Sequence, residues 1–264
     1  MKLAILLTAT IQVQVVQGNF TTVERLEMYA STLRYYSKAI GHNYPIVFLE
    51  NSGYDLSEFK REFQGTLDIE FIQFQPTGEL PFDNSKGKSY NEYLMIGGGV
   101  CKSEKLRSCT HFLKITGRYA MLNINSIIAE VEKRADDKVF MCDVKDTRLY
   151  EMIGSKNFGR WGDSRYWVAS VDYYLNKMKN CYLEMNDSKW GMWAEDYILN
   201  MSHRFRKDGR FIFRFRTQVM FNGITGMRTS SDLAAGKYRQ DSFPQRIKWL
   251  IRQCLRWILP NIWF

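Results

Sequence analysis

Short apolar segments typical of β-strands alternate with amphipathic segments typical of helices over the first 143 residues, and this order limits the possible folds more than any other feature. The alternation is typical of βαβ units, so we predict an α/β fold with a mainly parallel sheet flanked by helices. The predicted strands are residues 2–7, 46–49, 69–74, 112–115 and 138–143, and the predicted helices are residues 22–40, 55–63, a segment starting near Tyr90, and 125–135.

The second half of the chain is less regular and ends in a segment of different character. Residues 166–170 and 210–216 read as strands, and residues 171–185 read as a helix. Glycine-punctuated loops are expected up to residue 242. We therefore predict one domain over residues 1–242, a length that a single core can support, and a separate helix over residues 243–264.

The chain of 264 residues carries a net charge of +9, which favours anionic partners such as nucleic acids, acidic lipid headgroups or phosphorylated substrates. The five cysteines show no zinc or disulfide spacing, which fits a reducing cytosol. No apolar run approaches the length of a membrane-spanning helix. The opening "MKLAILL" is expected to be the first strand and not a signal peptide.

Several common catalytic motifs are absent from the sequence. No G-x-G-x-x-G follows the first strand and no Walker lysine loop occurs, which argues against nicotinamide-dependent Rossmann enzymes and P-loop ATPases. There is also no G-x-S-x-G or H-E-x-x-H, and the chain has only three histidines. Three histidines leave few candidates for a histidine-based catalytic triad or metal site.

Polar residues follow the predicted strands, where ligands of parallel sheets collect. We expect these residues to lie along one edge of the sheet and to line a substrate site. They are Thr8, Thr10, Glu50, Asn51, Thr116, Gly117, Arg118 and Asp143.

The succession of short motifs resembles the GT-A fold glycosyltransferases, in particular the inverting group that includes cellulose and chitin synthases and bacterial polysaccharide transferases. The segments concerned are "LLTATIQ", "VFLENS", "FLKITGRY" and "WAEDYIL", within residues 1–200. The resemblance implies a GT-A-like, Rossmann-type sheet. It also implies that Thr8, Thr10, Glu50 and Asn51 line the nucleobase site, and that Glu195 or Asp196 is the catalytic base.

The chain departs from this family at the fourth predicted strand, where the family has an Asp-x-Asp metal motif. Here "KITGR" places Lys114 and Arg118 at that point. The string "KITGRY" also resembles segments of bacterial surface-polysaccharide transferases. Positioned cations can neutralise a diphosphate leaving group as a metal does. We predict a cationic substitute for the metal, with Thr116 and Gly117 lining it and no metal ligands or cofactor; a divalent metal is not favoured. The alternative is a turn with two solvated charges.

Other candidates have a functional and a structural interpretation. Lys88 in "SKGKSYNE" would contact phosphates or merely solvate a loop, and Trp193 would stack on a sugar or fill the core. Glu195 and Asp196 would alternatively complement a helix dipole. Asp143 and Asp146 would be a displaced metal pair only if "KITGR" is a plain turn.

The last 22 residues combine a basic stripe, formed by Lys248, Arg252 and Arg256, with an apolar face and several tryptophans. This combination is typical of a helix that lies in a membrane surface. The alternative is a helix that docks on the core.

The resemblance, together with these patterns, implies a glycosyltransferase that moves a sugar from a nucleotide sugar to a hydroxyl of a glycan or lipid-linked acceptor in bacterial cell-surface polysaccharide synthesis, of the capsule or lipopolysaccharide kind. We expect it in the cytoplasm, peripheral on the cytoplasmic face of the inner membrane, with inversion at the sugar and no nucleic-acid partner. The rival hypotheses are a sugar nucleotidyltransferase of related fold and a non-catalytic nucleic-acid-binding protein. The sequence leaves the sugar, the base and the linkage open.

Overall fold

The computed structural model describes residues 1–12, 20–147, 159–188, 190–223 and 243–259 of the chain, and the structural statements below concern these residues. The strands are β1 (Leu3–Ala9), β2 (Ile46–Glu50), β3 (Ile69–Gln73), β4 (His111–Thr116), β5 (Ala120–Met121), β6 (Phe140–Asp146), β7 (Arg160–Ser170), β8 (Phe211–Ile212) and β9 (Phe221–Asn222). The α-helices are α1 (Thr22–Ala39), α2 (Ser57–Phe63), α3 (Gly87–Lys102), α4 (Glu104–Arg107), α5 (Ile124–Arg134), α6 (Val171–Tyr173), α7 (Ala194–Arg204) and α8 (Phe243–Ile258).

Seven strands form one sheet in the order β3-β2-β1-β4-β7-β6-β8. Strands β3, β2, β1 and β4 are mutually parallel, β7 is antiparallel to both of its neighbours, and β8 is parallel to β6. The carboxyl ends of β1, β2, β4 and β6 therefore meet at one edge of the sheet. The amino end of β7 reaches the same edge, because its direction is reversed.

The sheet separates two apolar layers. One layer lies against α1, α2 and α5 and includes Tyr29, Phe48 and Tyr166, while the other lies against α3 and α7 and includes Tyr93 and Trp167. Every residue of β1 and β2 is buried. Both faces of the central strands are thus covered, which explains why their sequences are continuous apolar runs and not alternating ones.

Local sequence signals explain where the helices begin and how closely they pack. Thr21 and Glu24 form a capping box at the start of α1, in which each side chain accepts a hydrogen bond from the other's backbone N–H. In α3, a Cβ added at Gly97 would lie 2.7 Å from the Lys179 carbonyl, and one at Gly99 would lie 2.5 Å from Leu49. Glycines at these positions let α3 approach its neighbours, and this fixes its first turn at the sheet edge.

The predicted α/β fold with a mainly parallel sheet and a C-terminal helix is confirmed. Several boundaries were wrong, and the helix predicted over 171–185 is α-helical only at Val171–Tyr173, followed by a π-helical segment at Tyr174–Met178 and a 3-10 segment at Cys181–Glu184. Strand β6 continues beyond Asp143 to Asp146, the strand predicted at 166–170 begins at Arg160, and only Phe211–Ile212 of the strand predicted at 210–216 is a strand. The alternating cations of that last segment do not all face water, because Arg214 is 5% exposed and lies beside Asp143.

Helix α8 is attached to the rest of the chain through its polar side. The Gln253 side chain accepts a hydrogen bond from Gln218 N–H and donates one to the Arg216 carbonyl, and Arg256 binds Asp143. Large apolar side chains of this helix are exposed: Phe243, Ile247, Leu250, Ile251, Trp257 and Ile258. Among the described residues, no helix is long and apolar enough to cross a membrane.

Candidate functional site

The ends of β1 and β2 are tied together by Glu50, which is fully buried. Its carboxylate accepts hydrogen bonds from the backbone N–H groups of Ile11, Ser52 and Gly53 and from the Ser52 hydroxyl. Burial raises the pKa of Glu50, although these hydrogen bonds act in the opposite direction. Both oxygens are engaged within the protein, so Glu50 shapes the two loops and has no evident acceptor left for a nucleobase.

Thr10 and Asn51 lie side by side at this edge. The Thr10 hydroxyl donates to Asn51 Oδ1 over 2.6 Å, and the Thr10 carbonyl accepts two hydrogen bonds from the buried guanidinium of Arg25. No described residue accepts a hydrogen bond from the Asn51 side-chain amide group. Of the residues predicted to line the nucleobase site, Asn51 is therefore the one that keeps donors for a ligand.

Lys114 is completely buried at the end of β4. Its ammonium lies 2.8 Å from Glu92 Oε1, and it donates to the Ser164 carbonyl over 2.8 Å and to the Thr116 hydroxyl over 3.2 Å. These three acceptors use all three N–H groups. Lys114 therefore has no donor free for a phosphate in this arrangement; it joins β4 to α3 and β7.

Gly117 follows directly and approaches β1 closely. Its N–H donates to the Thr8 carbonyl over 2.8 Å, and a Cβ at this position would lie 2.7 Å from the same oxygen. A side chain here would push the end of β4 away from β1. The sequence analysis attributed Gly117 to close approach of a ligand. The structure instead explains the glycine by the close approach of β1.

Arg118 is half-buried and differs from Lys114 in its partners. One terminal nitrogen donates to the Tyr119 hydroxyl over 2.9 Å, and the guanidinium lies 4.8 Å from the centre of the Tyr119 ring. Its Nε is buried without a partner, and no described carboxylate lies within ion-pair distance. Arg118 thus keeps donors for an anionic ligand, and its predicted place in a phosphate site stays a prediction.

A second cation, Lys88, lies near Arg118 at the start of α3. Its pKa lies below the ordinary lysine value because of desolvation and because Arg118 and Arg25 carry the same charge. The three cations therefore gather at one place on the sheet edge. Asp187 and Glu92 act on Lys88 and Arg118 from nearby, but no described carboxylate forms an ion pair with any of the three cations. Such a group of like charges favours an anion with more than one charge.

Glu92 is a site residue that the sequence analysis did not select. It follows Lys88 by one turn of α3, so the string "KSYNE" placed both on one helix face and contained the signal. Glu92 Oε1 accepts the Thr8 hydroxyl over 2.6 Å and also faces Lys114. Burial opposes ionisation of Glu92, but the Lys114 cation and these hydrogen bonds outweigh it and lower the pKa.

The structure separates the two candidate bases at the start of α7. Asp196 is exposed and accepts a hydrogen bond from the Trp193 N–H, as the acid of a capping box does. Glu195 is half-buried, and its Oε1 accepts the Ser164 hydroxyl over 2.6 Å. Desolvation raises the pKa of Glu195, and the charges of Asp163 and Glu92 add to this rise. Glu195 is the carboxylate with the properties of a general base.

The segment that carries the two exposed tryptophans is held against the start of α3. The Asp187 carboxylate accepts hydrogen bonds from the N–H groups of Lys88 and Ser89, over 2.6 and 3.0 Å. Trp190 is 89% exposed and Trp193 is 48% exposed, so neither fills the core. The exposed ring of Trp193 lies at the surface, and its predicted stacking on a sugar stays a prediction.

Asp143 belongs to the other face of the sheet. Arg256 of α8 binds both of its oxygens, over 2.9 and 2.6 Å, and the Tyr166 hydroxyl and the Phe215 N–H also donate to it. The Arg256 cation outweighs the effect of burial and lowers the pKa of Asp143. The structure therefore does not bring Asp143 to the site, although its place at a strand end suggested this.

No cluster of three or more metal-ligating side chains occurs within the ranges that the structure describes. Asp146, the other member of the alternative metal pair, is bound to Arg160 and His203. In the described part of the chain, the carboxylate oxygens of Asp143 and Asp146 are thus taken by other side chains. The two aspartates do not offer free oxygens to one metal ion.

Comparison with known proteins finds similarity at the level of the fold. Neither a family model nor a curated protein sequence matches the chain. Among solved structures, the glycosyltransferase GlyE of Streptococcus pneumoniae TIGR4 is 8% identical with a TM-score of 0.48, and the match covers 80% of this chain and 44% of that chain. S. aureus TarS 1-349 in complex with UDP-GlcNAc is 9% identical with a TM-score of 0.46, covering 97% of this chain and 67% of that one.

A nucleotidyltransferase is also among these neighbours. CMP:2-keto-3-deoxy-manno-octonic acid synthetase complexed with CTP is 10% identical with a TM-score of 0.46, and the match covers 97% and 100% of the two chains. The neighbours thus include GT-A-like glycosyltransferases, and this chain spans less than half of the GlyE chain. At such low identities and TM-scores these likenesses assign no activity to this chain.

Proposed function

We propose that this protein is a glycosyltransferase that moves a sugar from a nucleotide-sugar donor to a hydroxyl of a glycan acceptor. The observation that carries the proposal is one chain of contacts. Glu195, a carboxylate with a raised pKa, is connected through Ser164, Lys114 and Glu92 to the strand end where Arg118 keeps free donors. A base and an anion site joined by one rigid network are what the transfer reaction requires.

In the proposed reaction, the oxygen of an acceptor hydroxyl attacks the anomeric carbon of the donor. The hydroxyl proton moves to Glu195, a new C–O bond forms, and the bond from the anomeric carbon to the diphosphate oxygen breaks with its electron pair on the leaving diphosphate. Arg118 and Lys88 stabilise the charge that develops there. Direct displacement by a base-activated hydroxyl inverts the configuration of the sugar.

The charge on the diphosphate is neutralised without a divalent metal in this proposal. Arg118 offers a planar pair of donors that matches phosphate oxygens, and Lys88 adds a mobile point charge. The direct phosphate contact predicted for Lys114 is replaced by an internal one, since its three donors face Glu92, Thr116 and Ser164. In this proposal, Arg118 of "KITGR" contacts the ligand, and Lys114 joins β4 to α3 and β7.

The remaining candidates are placed around this centre. The side-chain amide group of Asn51 would donate to the nucleobase, while Thr10 and Glu50 hold the loop that presents it. Trp193 and Trp190 lie on the segment that Asp187 fastens to α3, beside Lys88, and their exposed rings would stack on the acceptor.

Helix α8 suggests that the acceptor lies on a membrane. Its apolar side chains Leu250, Ile251, Trp257 and Ile258 face outward, at exposures of 53–72%, and the helix has no acidic residue to repel anionic headgroups. We propose that this face lies on an anionic lipid surface and confines the enzyme near a lipid-linked acceptor. The predicted basic stripe is wrong for Arg256, which binds Asp143 instead; Lys248 remains exposed.

These parts fit an enzyme of cell-surface polysaccharide synthesis, of the capsule or lipopolysaccharide kind, on the cytoplasmic face of the inner membrane. The membrane proposal is tested by sedimentation with vesicles that contain an anionic phospholipid. The full chain should sediment with them, and the variant Leu250→Asp/Ile251→Asp should not. Equal sedimentation of both proteins would contradict it.

The activity is tested with a thermal-shift panel of UDP-, GDP-, CMP- and dTDP-sugars, followed by product analysis. A donor at 100 times its Kd should add about 2.7 kcal/mol of stability. Glu195→Gln should lower transfer at least about a hundredfold with unchanged folding. Its matched neighbour Asp196→Asn should keep the activity, because Asp196 only caps α7.

Two outcomes would contradict the proposal. Release of pyrophosphate from a nucleoside triphosphate and a sugar phosphate would identify a nucleotidyltransferase instead. Salt-dependent binding of RNA or DNA with no stabilisation by any nucleotide sugar would favour the nucleic-acid-binding hypothesis.

A further inference from the structure

Glu92 has one oxygen held by the protein and one oxygen left over. Oε1 accepts the Thr8 hydroxyl and faces the Lys114 ammonium, at 2.6 and 2.8 Å. No residue in the described part of the chain donates to Oε2, and the side chain is 26% exposed. Glu92 is therefore a fixed, partly exposed carboxylate with a free acceptor, held in one orientation by two other elements.

The position of Glu92 lies between the cations and the base. Lys88 precedes it by one turn on the same face of α3. The hydroxyl of Ser89, also in that first turn, accepts a hydrogen bond from the backbone N–H of Ala194. Ala194 immediately precedes Glu195. The charge of Glu92 acts on both Arg118 and Glu195. These contacts and charges place Glu92 near both the cations and the base, so a ligand that spans them comes close to Glu92.

A carboxylate at this point is unfavourable for binding a diphosphate, because it repels the same charge that Arg118 attracts. Neutralisation by Lys114 reduces this repulsion but leaves Oε2 without a hydrogen bond. The ligand group that suits Oε2 is an uncharged donor, and a sugar hydroxyl is such a donor. In the proposed reaction, the transferred sugar lies between the diphosphate and the base.

We propose that Glu92 is a substrate-binding residue whose Oε2 accepts a hydrogen bond from a hydroxyl of the transferred sugar, and that Lys114 is the positioning residue that holds it. This inference rests on the proposed function and makes it more specific. The donor is a nucleotide sugar whose sugar keeps a free hydroxyl at the contacted carbon, and a donor that lacks this hydroxyl is rejected.

The test compares the donor found in the panel with its monodeoxy analogues and with the matching nucleoside diphosphate, for the wild type, Glu92→Gln and Glu92→Asp. We expect the wild type to discriminate against one deoxy analogue by about 10- to 100-fold in kcat/KM, since the contact is a hydrogen bond to a charged group. Both variants should lose most of this discrimination. Glu92→Asp keeps the charge opposite Lys114, so it remains informative if Glu92→Gln folds poorly.

Affinity for the nucleoside diphosphate should be equal or higher in Glu92→Gln, because a repelling charge is removed. Glu58→Gln removes one exposed acid on α2 and is the control for net charge. Unchanged deoxy discrimination in both Glu92 variants would overturn this inference and leave the proposed function intact. If the wild type binds none of the nucleotide sugars in the panel, both this inference and the proposed function are overturned.

Discussion

Two buried ion pairs lie at the same edge of the sheet, and they differ in what they leave free. Lys114–Glu92 joins β4 to α3, and Arg256–Asp143 joins α8 to β6. In the second pair both Asp143 oxygens are bound by protein donors, two from Arg256 and two from neighbouring groups. In the first pair the cation is saturated, but Glu92 Oε2 is not.

This difference is the reason why we propose a role in ligand binding for the first pair and only a structural role for the second. Burial and charge are similar in the two pairs, so neither property alone indicates a role. The unused oxygen, Glu92 Oε2, is more informative, because an acceptor that no described residue satisfies is available to a ligand. The comparison predicts that breaking the first pair lowers both folding stability and transfer activity, whereas breaking the second mainly releases α8.

The largest effect is expected for Lys114→Met. Because it leaves Glu92 and the Ser164 carbonyl without their cation, the variant should lose about 3–5 kcal/mol of folding free energy, measured by urea denaturation. The double variant Lys114→Met/Glu92→Leu should recover most of this stability without recovering transfer. Wild-type stability in the single variant would show that the pair contributes nothing.

Arg118→Ala should weaken nucleoside-diphosphate binding by about 10- to 100-fold, because it removes a charge-assisted contact. Arg118→Lys should restore only part of the affinity, since an ammonium cannot make a two-pronged contact. Calorimetric titration measures both.

The cationic site also predicts a transfer rate that survives EDTA. Initial rates with EDTA and with added manganese or magnesium measure this directly. Complete loss with the chelator and full recovery with manganese would mean that "KITGR" does not replace a metal.

Arg256→Met should cost a smaller amount, about 1–3 kcal/mol, because Asp143 keeps the Tyr166 hydroxyl and the Phe215 N–H. Transfer to a soluble acceptor should stay near the wild-type rate, whereas α8 should become more accessible to protease. A strong loss of transfer to a soluble acceptor would place Asp143 in the reaction after all.

The smallest effect is a shift in pH dependence. Glu195 must be deprotonated to act as a base, and its pKa is raised, so kcat/KM should fall as the pH drops through a value above that of an ordinary glutamate. Ser164→Ala removes a hydrogen bond that lowers this pKa, and the acidic limb should move to higher pH. Ser170→Ala on the same strand, whose hydroxyl caps α6, should leave the limb in place.

The sequence was sufficient to predict the elements that depend on local pattern. The apolar runs of β1, β2 and β4 and the spacing of α1 and α5 were recognisable because backbone hydrogen bonding and burial follow a short period. The order of these elements then predicted the parallel sheet and the edge that carries the polar ends. The same reasoning selected Arg118 as a candidate, whereas the Glu195–Asp196 pair was suggested by the resemblance to GT-A fold glycosyltransferases.

The roles within that edge were decided only by the tertiary structure. Lys114 and Arg118 look equivalent in "KITGR", but alternation along β4 turns Lys114 into the core, where Glu92 and Ser164 from distant segments take its three donors. Asp143 lost its predicted place because Arg256, more than a hundred residues later, binds it from the other face. Partners so far apart in sequence meet only when the chain has folded, and burial then determines which charges remain free for a ligand.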